Sequence, residues 1–151
     1  PIRALAESMA ARPGDVTVIY RVRNAADAAL LEEIQVLCRH RGFKLEIMAG
    51  PRANHSSWMN ADGTGRSDLV RLAEIAPRIT DSDVFICGPT GWTHSVEKSV
   101  LKALPEKMDS GISKHGLKIL NPIPLLLAQK PGFQANLFMT CGYESLSIKN
   151  W

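Results

Sequence analysis

Apolar positions at Ile2, Leu5, Ala6 and Met9 recur with helical spacing, and Arg12-Pro13-Gly14-Asp15 stops the pattern. Val16-Thr17-Val18-Ile19-Tyr20 is an unbroken β-favouring run, as expected of a strand covered on both faces. Asn24 is the expected cap of a second helix, whose stripe of Leu30, Leu31, Ile34, Leu37 and Cys38 ends at Gly42. Leu45 and Ile47-Met48-Ala49 predict another strand, stopped by Gly50-Pro51. Residues 54–66 are polar and Gly-rich and predict a surface loop. Ser67 is the expected cap of a third helix carrying Leu69, Leu72, Ala73 and Ile75 up to Pro77. A strand at 83–86 and a fourth helix with Val96, Val100, Ala103 and Leu104 follow. The alternation of helix and strand predicts an α/β fold with a doubly wound parallel sheet. Past Pro105 the pattern breaks, although 118–120 and 137–143 are strand-like.

Val84-Phe85-Ile86 runs directly into Cys87-Gly88-Pro89-Thr90-Gly91, with a helix starting just beyond and Thr93 as its expected cap. Such a bend lies at the carboxyl end of a parallel strand, where open α/β sheets bind ligands. The glycines permit a tight turn and close approach, and Pro89 fixes one dihedral. A helix start can lower a thiol pKa, so one reading of Cys87 is a nucleophile of phosphatase type. That chemistry needs an arginine further along the loop, and Thr93 stands in its place. An inert buried cysteine, or one that orients a ligand, are the readings left. Arg21 and Arg23 follow the first strand, where a planar guanidinium suits a phosphate, or they are two solvated charges. Asp62-Gly63-Thr64-Gly65 reads as a plain turn or an anion cradle.

Composition narrows this picture. A chain of 151 residues, 45% hydrophobic and 22% charged, suits an ordinary soluble globular protein with a real core. Its net charge of +3 is mild and scattered, so no nucleic-acid partner is expected. The three cysteines form no C-x-x-C, and the four histidines share no ligand spacing, so neither a disulfide framework nor a metal site is expected. The longest apolar run, 119–128, carries Pro122 and Pro124, and no membrane span is expected. A reducing, cytoplasmic setting follows.

Several of these strings resemble the NAD(P)H-binding domain of the ferredoxin–NADP reductase family. Val16-Thr17-Val18-Ile19-Tyr20-Arg21 looks like its second strand and the arginine-bearing turn after it. The stretch 72–79, followed by Asp83-Val84-Phe85-Ile86-Cys87-Gly88-Pro89, resembles its helix, Pro-containing turn and strand ending in Cys-Gly-Pro. Pro1-Ile2-Arg3-Ala4-Leu5 looks like the continuation of its Gly-rich loop, with Pro1 as the last residue of that motif. The resemblance implies that NAD(P)H passes hydride to FAD or FMN held by a flavin-binding barrel domain upstream. Electrons would then leave for an acceptor protein or metal centre (iron–sulfur, haem or ferric), at the cytoplasmic face of a membrane reductase or in the cytoplasm. It places Cys87 in the catalytic position, with Gly88, Pro89 and Thr90 at the nicotinamide and its ribose. Tyr20, Arg21 and Arg23 would lie at the adenosine end, leaning towards NADP. The alternative is a non-catalytic module that binds a nucleotide or a partner.

The same resemblance divides the chain into a partial NAD(P)H-binding domain, 1–104, and an atypical tail, 105–151. The family's central first strand and its Gly-rich loop are missing, since the chain opens on Pro1 inside a helical pattern. Losing four or five buried apolar residues removes on the order of 10 kcal/mol. Whole domains are stable by only about 5–15 kcal/mol. Poor folding of the chain alone is therefore expected, unless a tail segment such as 137–140 fills the gap.

Overall fold

In a computed structural model, residues 2–104, 117–119 and 135–141 are described. The elements are α1 (Ile2–Ser8), β1 (Val16–Val22), α2 (Leu31–Arg41), β2 (Lys44–Ala49), α3 (Asp68–Ile75), β3 (Asp83–Cys87), α4 (Thr90–Ala103), β4 (Leu117–Ile119) and β5 (Ala135–Cys141), with 3-10 turns at Ala25–Asp27 and Ile79–Asp81. The five strands form one parallel sheet in the order β2-β1-β5-β3-β4.

β1 shows why helices cover both sides. Val16, Val18, Tyr20 and Val22 point into one core with Ile2, Ala6 and Met9 from the α1 region and Ile34 and Cys38 of α2. Ile19 points the other way, into a core with Leu72 of α3 and Trp92, Val96 and Val100 of α4. The step from β1 to β2 crosses the sheet in one direction, and the steps to β3 and β4 cross in the other. Crossovers of a single hand then require α2 on one face and α3 and α4 on the other. The direction of travel reverses between β1 and β3.

That reversal point is where a strand was expected to be missing, and β5 occupies it. Val18 and Phe85 pair across it with Leu137, and Ile19 and Ile86 with Phe138. Leu137 fills the first core and Phe138 the second, both with no exposed surface. Two consecutive apolar side chains thus satisfy two cores at once, as a central strand must. Without β5, β1 and β3 would each present an open edge.

Most helix ends follow the local sequence. Gly42 closes α2 at φ 66°, and a Cβ there would lie 2.7 Å from Pro13 Cβ. Ser67 Oγ accepts the Val70 N–H at the start of α3. Four expectations change. Asn24 heads the 3-10 turn, where its amide donates to Asp27 Oδ2, while Leu30 at φ 58° precedes α2. α4 begins at Thr90 with Pro89 as its cap, and Thr93 is buried with its hydroxyl donating to the Thr90 carbonyl. The 54–66 loop is not confined to the surface, because Trp58 and Met59 are fully buried. Trp58 stands edge-on to Trp92 at 6.1 Å and to Phe138 at 5.7 Å. The hydrophobic gain of burying an indole outweighs the polar character of its neighbours. α3 is narrower than its pattern implies, with Leu72 buried and Leu69 exposed. No helix among the described residues is long and apolar enough to cross a membrane.

Candidate functional site at the carboxyl edge of the sheet

Because every strand runs the same way, their carboxyl ends share one edge. Adjacent strands lie about 4.8 Å apart, so β1 and β3 are separated by about 10 Å with β5 between them. The sequence-predicted residues fall on this edge in two groups, one at the end of β3 and one at the ends of β1 and β2.

At β3, Cys87 is half-buried and packs on the first core, opposite Met139 of β5. Gly88 and Pro89 are also half-buried, and Thr90 and Gly91 are exposed. Pro89 carries φ −58° and ψ 143°, and its carbonyl accepts the N–H groups of Trp92 and Thr93, each at 3.0 Å. The positive end of the α4 dipole therefore lies one residue past the bend, with no acidic side chain in the first turn. A Cβ at Gly91 would meet nothing within 4 Å. The bend accordingly combines a soft side chain, a helix start and open space. Pro1 lies outside the described residues.

The group at β1 divides by the alternation of the strand. Tyr20 is fully buried in the first core, and its hydroxyl donates to the Ala29 carbonyl at 2.7 Å. It is a core residue under the turn before α2 and presents no surface to a ligand. Arg21 is also buried, and its guanidinium donates to the carbonyls of Val22, Met48 at 3.1 Å and Gly50 at 2.7 Å. Arg21 Nε has no hydrogen-bond partner among the described residues. Burial first, and then the charges of Arg52, Arg71 and Arg23, push the Arg21 pKa down. Arg21 therefore clamps the ends of β1 and β2 together, a structural use that the bare sequence does not reveal. Arg23 is exposed.

Further residues from β2, α3 and the loop between them belong to this corner. Arg71 is buried and donates to the Asn60 carbonyl at 2.5 Å and to Asn60 Oδ1 at 2.8 Å, while its Nε pairs with Asp62 at 3.0 Å. Asn60 in turn donates to the Ala49 carbonyl at 2.9 Å. Asp62 accepts the Thr64 hydroxyl at 2.7 Å and the Thr64 N–H at 3.0 Å, which makes 62–65 a turn closed by its own side chain. Those bonds, helped by Arg71 and Arg66, pull the Asp62 carboxyl down to about 2. Arg52 is exposed beside Gly50-Pro51. Arg52 stands just past β2 as Arg23 stands just past β1, so the same sequence pattern of an arginine at a strand end marks it. Cys38 lies in the core, where burial pushes its thiol up to about 11.

No protein-family model matches this chain, and neither a curated protein nor a solved structure was found to be similar to it.

Proposed function

We propose that this chain is the NAD(P)H-binding part of a flavin-dependent oxidoreductase, its sheet doubly wound in the manner of ferredoxin reductases. One observation carries the reading: Cys87-Gly88-Pro89 bends at the carboxyl end of β3, beside the strand at which the winding reverses. That crevice is where open α/β sheets take nucleotides. The residues present fit such a ligand, with open space at Gly91, a helix start without a side-chain cap, and exposed arginines about two to three strand spacings away.

On this reading Cys87 and Gly88 face the nicotinamide, and Pro89 and Thr90 lie along its ribose. The thiol is a compact, polarizable contact for the ring. Arg23 meets a phosphate, and Arg21 and Tyr20 keep the frame on which it stands. The bound cofactors supply the redox chemistry, hydride from NAD(P)H to FAD or FMN and electrons onward to an iron–sulfur, haem or ferric acceptor. The flavin is held by an upstream barrel domain, and the setting is cytoplasmic.

The test follows NADPH oxidation at 340 nm with ferricyanide. The chain alone is expected to bind NADPH, read as a change in Trp92 fluorescence, but not to turn it over. Joined to its flavin-loaded barrel domain it turns over, and Cys87→Ala lowers kcat by about 10- to 100-fold while KM changes little. Absence of both binding and turnover in the flavin-loaded protein would leave the non-catalytic module.

A further inference from the structure

We infer that the outer edge of β2 is an interface, and that its occupant is a second copy of this chain, paired antiparallel about a two-fold axis. Lys44 of each copy then stands opposite Glu46 of the other. The pairing is independent of the nucleotide proposed above.

β2 ends the order β2-β1-β5-β3-β4, and among the described residues it pairs with β1 alone. A parallel neighbour takes the N–H and C=O groups of alternate residues, so the other half of the β2 backbone faces outward. Such a row is a template for another strand, and native edges are often blunted by a proline or a bulge. Lys44-Leu45-Glu46-Ile47-Met48-Ala49 has no proline and keeps an unbroken register with β1, from Thr17 opposite Lys44 to Val22 opposite Ala49. Ile47, in the middle of this strand, is 37% exposed. Among the described residues, most of the other exposed large apolar side chains lie on the helices before and after β2. Leu30 and Val36 are at the cap and on the body of α2, Leu69 and Val70 are on α3, and Leu101 is on α4. Apolar exposure is thus concentrated on β2 and its two neighbours in the chain.

The charges on the strand select both partner and register. Leu45 and Ala49 pack on the α2 core and Met48 on the opposite one, so Lys44 and Glu46 share the Met48 face. A two-fold axis normal to the sheet reverses strand direction and keeps each face, so opposed residues are of like parity. An axis at Leu45 sets Lys44 against Glu46 twice, Leu45 against itself and Ile47 against Phe43. An axis at Glu46 sets two carboxylates directly opposite, which is destabilising. An axis at Ile47 sets Glu46 against Met48, and Lys44 against Gly50, where φ 115° turns the chain out of the strand. The first register alone matches every charge. Glu46 is half-buried, and its side chain makes no hydrogen bond or ion pair among the described residues. Lys44 is exposed, and its Nζ donates to the Ile75 carbonyl at 2.6 Å, which uses one of three donors and steadies the ammonium at the edge. The edge is therefore complementary to itself, and a second copy is the strand that fits it.

The experiment is sedimentation equilibrium of the full chain from roughly 10 μM to 1 mM, since pairing over residues 43–47 makes a small interface and a weak dimer. The chain is expected to pass from one copy to two across that range. Glu46→Lys and Lys44→Glu each set like charges opposite at two positions, and each weakens the dimer about tenfold or more. The double variant, Lys44→Glu with Glu46→Lys, exchanges the charges, restores both pairs and brings the dimer back. A loss of the dimer through altered folding would not be restored in this way, and thermal unfolding of the dilute variants reads folding separately. A chain that stays single at the top of the range, assembly beyond two copies, a dimer indifferent to either single exchange, or a double variant that stays apart would each overturn the pairing.

Discussion

Replacing Phe138 by alanine tests the central feature of this fold, the insertion of β5 between β1 and β3. The ring has no exposed surface and lies between Ile19 and Ile86 in the sheet, with Trp58 edge-on at 5.7 Å. Truncating a buried phenylalanine costs about 3–5 kcal/mol through lost transfer energy and the cavity left behind. Part of that cost is the aromatic pair, worth on the order of 1 kcal/mol. Urea unfolding followed by tryptophan fluorescence reads the effect directly, because Trp58 and Trp92 belong to the same core. With a slope near 2 kcal/mol per molar urea, a loss of about 4 kcal/mol lowers the midpoint by about 2 M. Leu137→Ala, on the opposite face of the same strand, is expected to cost about 2–5 kcal/mol. Val36→Ala, at an exposed position, is expected to change stability by less than about 0.5 kcal/mol. If Phe138→Ala unfolds the protein outright, Phe138→Leu gives a smaller, measurable loss. A Phe138 variant indistinguishable from the Val36 control would show that β5 is not the middle of the sheet.

Tyr20→Phe removes the hydrogen bond to Ala29 and is expected to cost about 1 kcal/mol in the same unfolding assay. It leaves nucleotide affinity unchanged, and a weakened 5′-AMP titration would return Tyr20 to the ligand site. The Asp62 carboxyl, pulled down to about 2, stays ionised in the folded protein at a pH where the unfolded chain is protonated. Its contribution is therefore complete above the ordinary carboxylate range near pH 4 and is lost as pH falls through about 2. Carbon-detected NMR titration of the Asp62 side chain is expected to show that depressed midpoint, and Thr64→Val to raise it. A midpoint near the usual aspartate value would remove the Thr64 contact from the turn.

Much of this architecture is legible in local pattern. The helical stripe of α2, its stop at Gly42, the Ser67 cap and the strands around Val18 and Phe85 all depend on neighbours within a few residues. Strand alternation even contained a warning about the site. Tyr20 and Arg21 are consecutive in β1, so both side chains cannot face one ligand from the same side of the sheet. The bend at Cys87-Gly88-Pro89 was likewise readable, since glycine and proline act on the backbone where they stand.

What the tertiary structure alone decided is which distant segments meet. An apolar run such as Leu137-Phe138-Met139 suits any buried strand, and only the unfilled edges of β1 and β3 give it the central position. Trp58 sits in a polar stretch, and its burial depends on the space between Trp92 and Phe138, contributed by segments far along the chain. Arg21, Arg23, Arg52 and Arg71 are scattered in sequence and become one electrostatic unit only when β1, β2 and α3 pack. Helix and turn preferences act through short-range sterics and hydrogen bonds, which a sequence displays. Strand order and charge clustering follow from contacts across long stretches of chain, and those exist only once the molecule has folded.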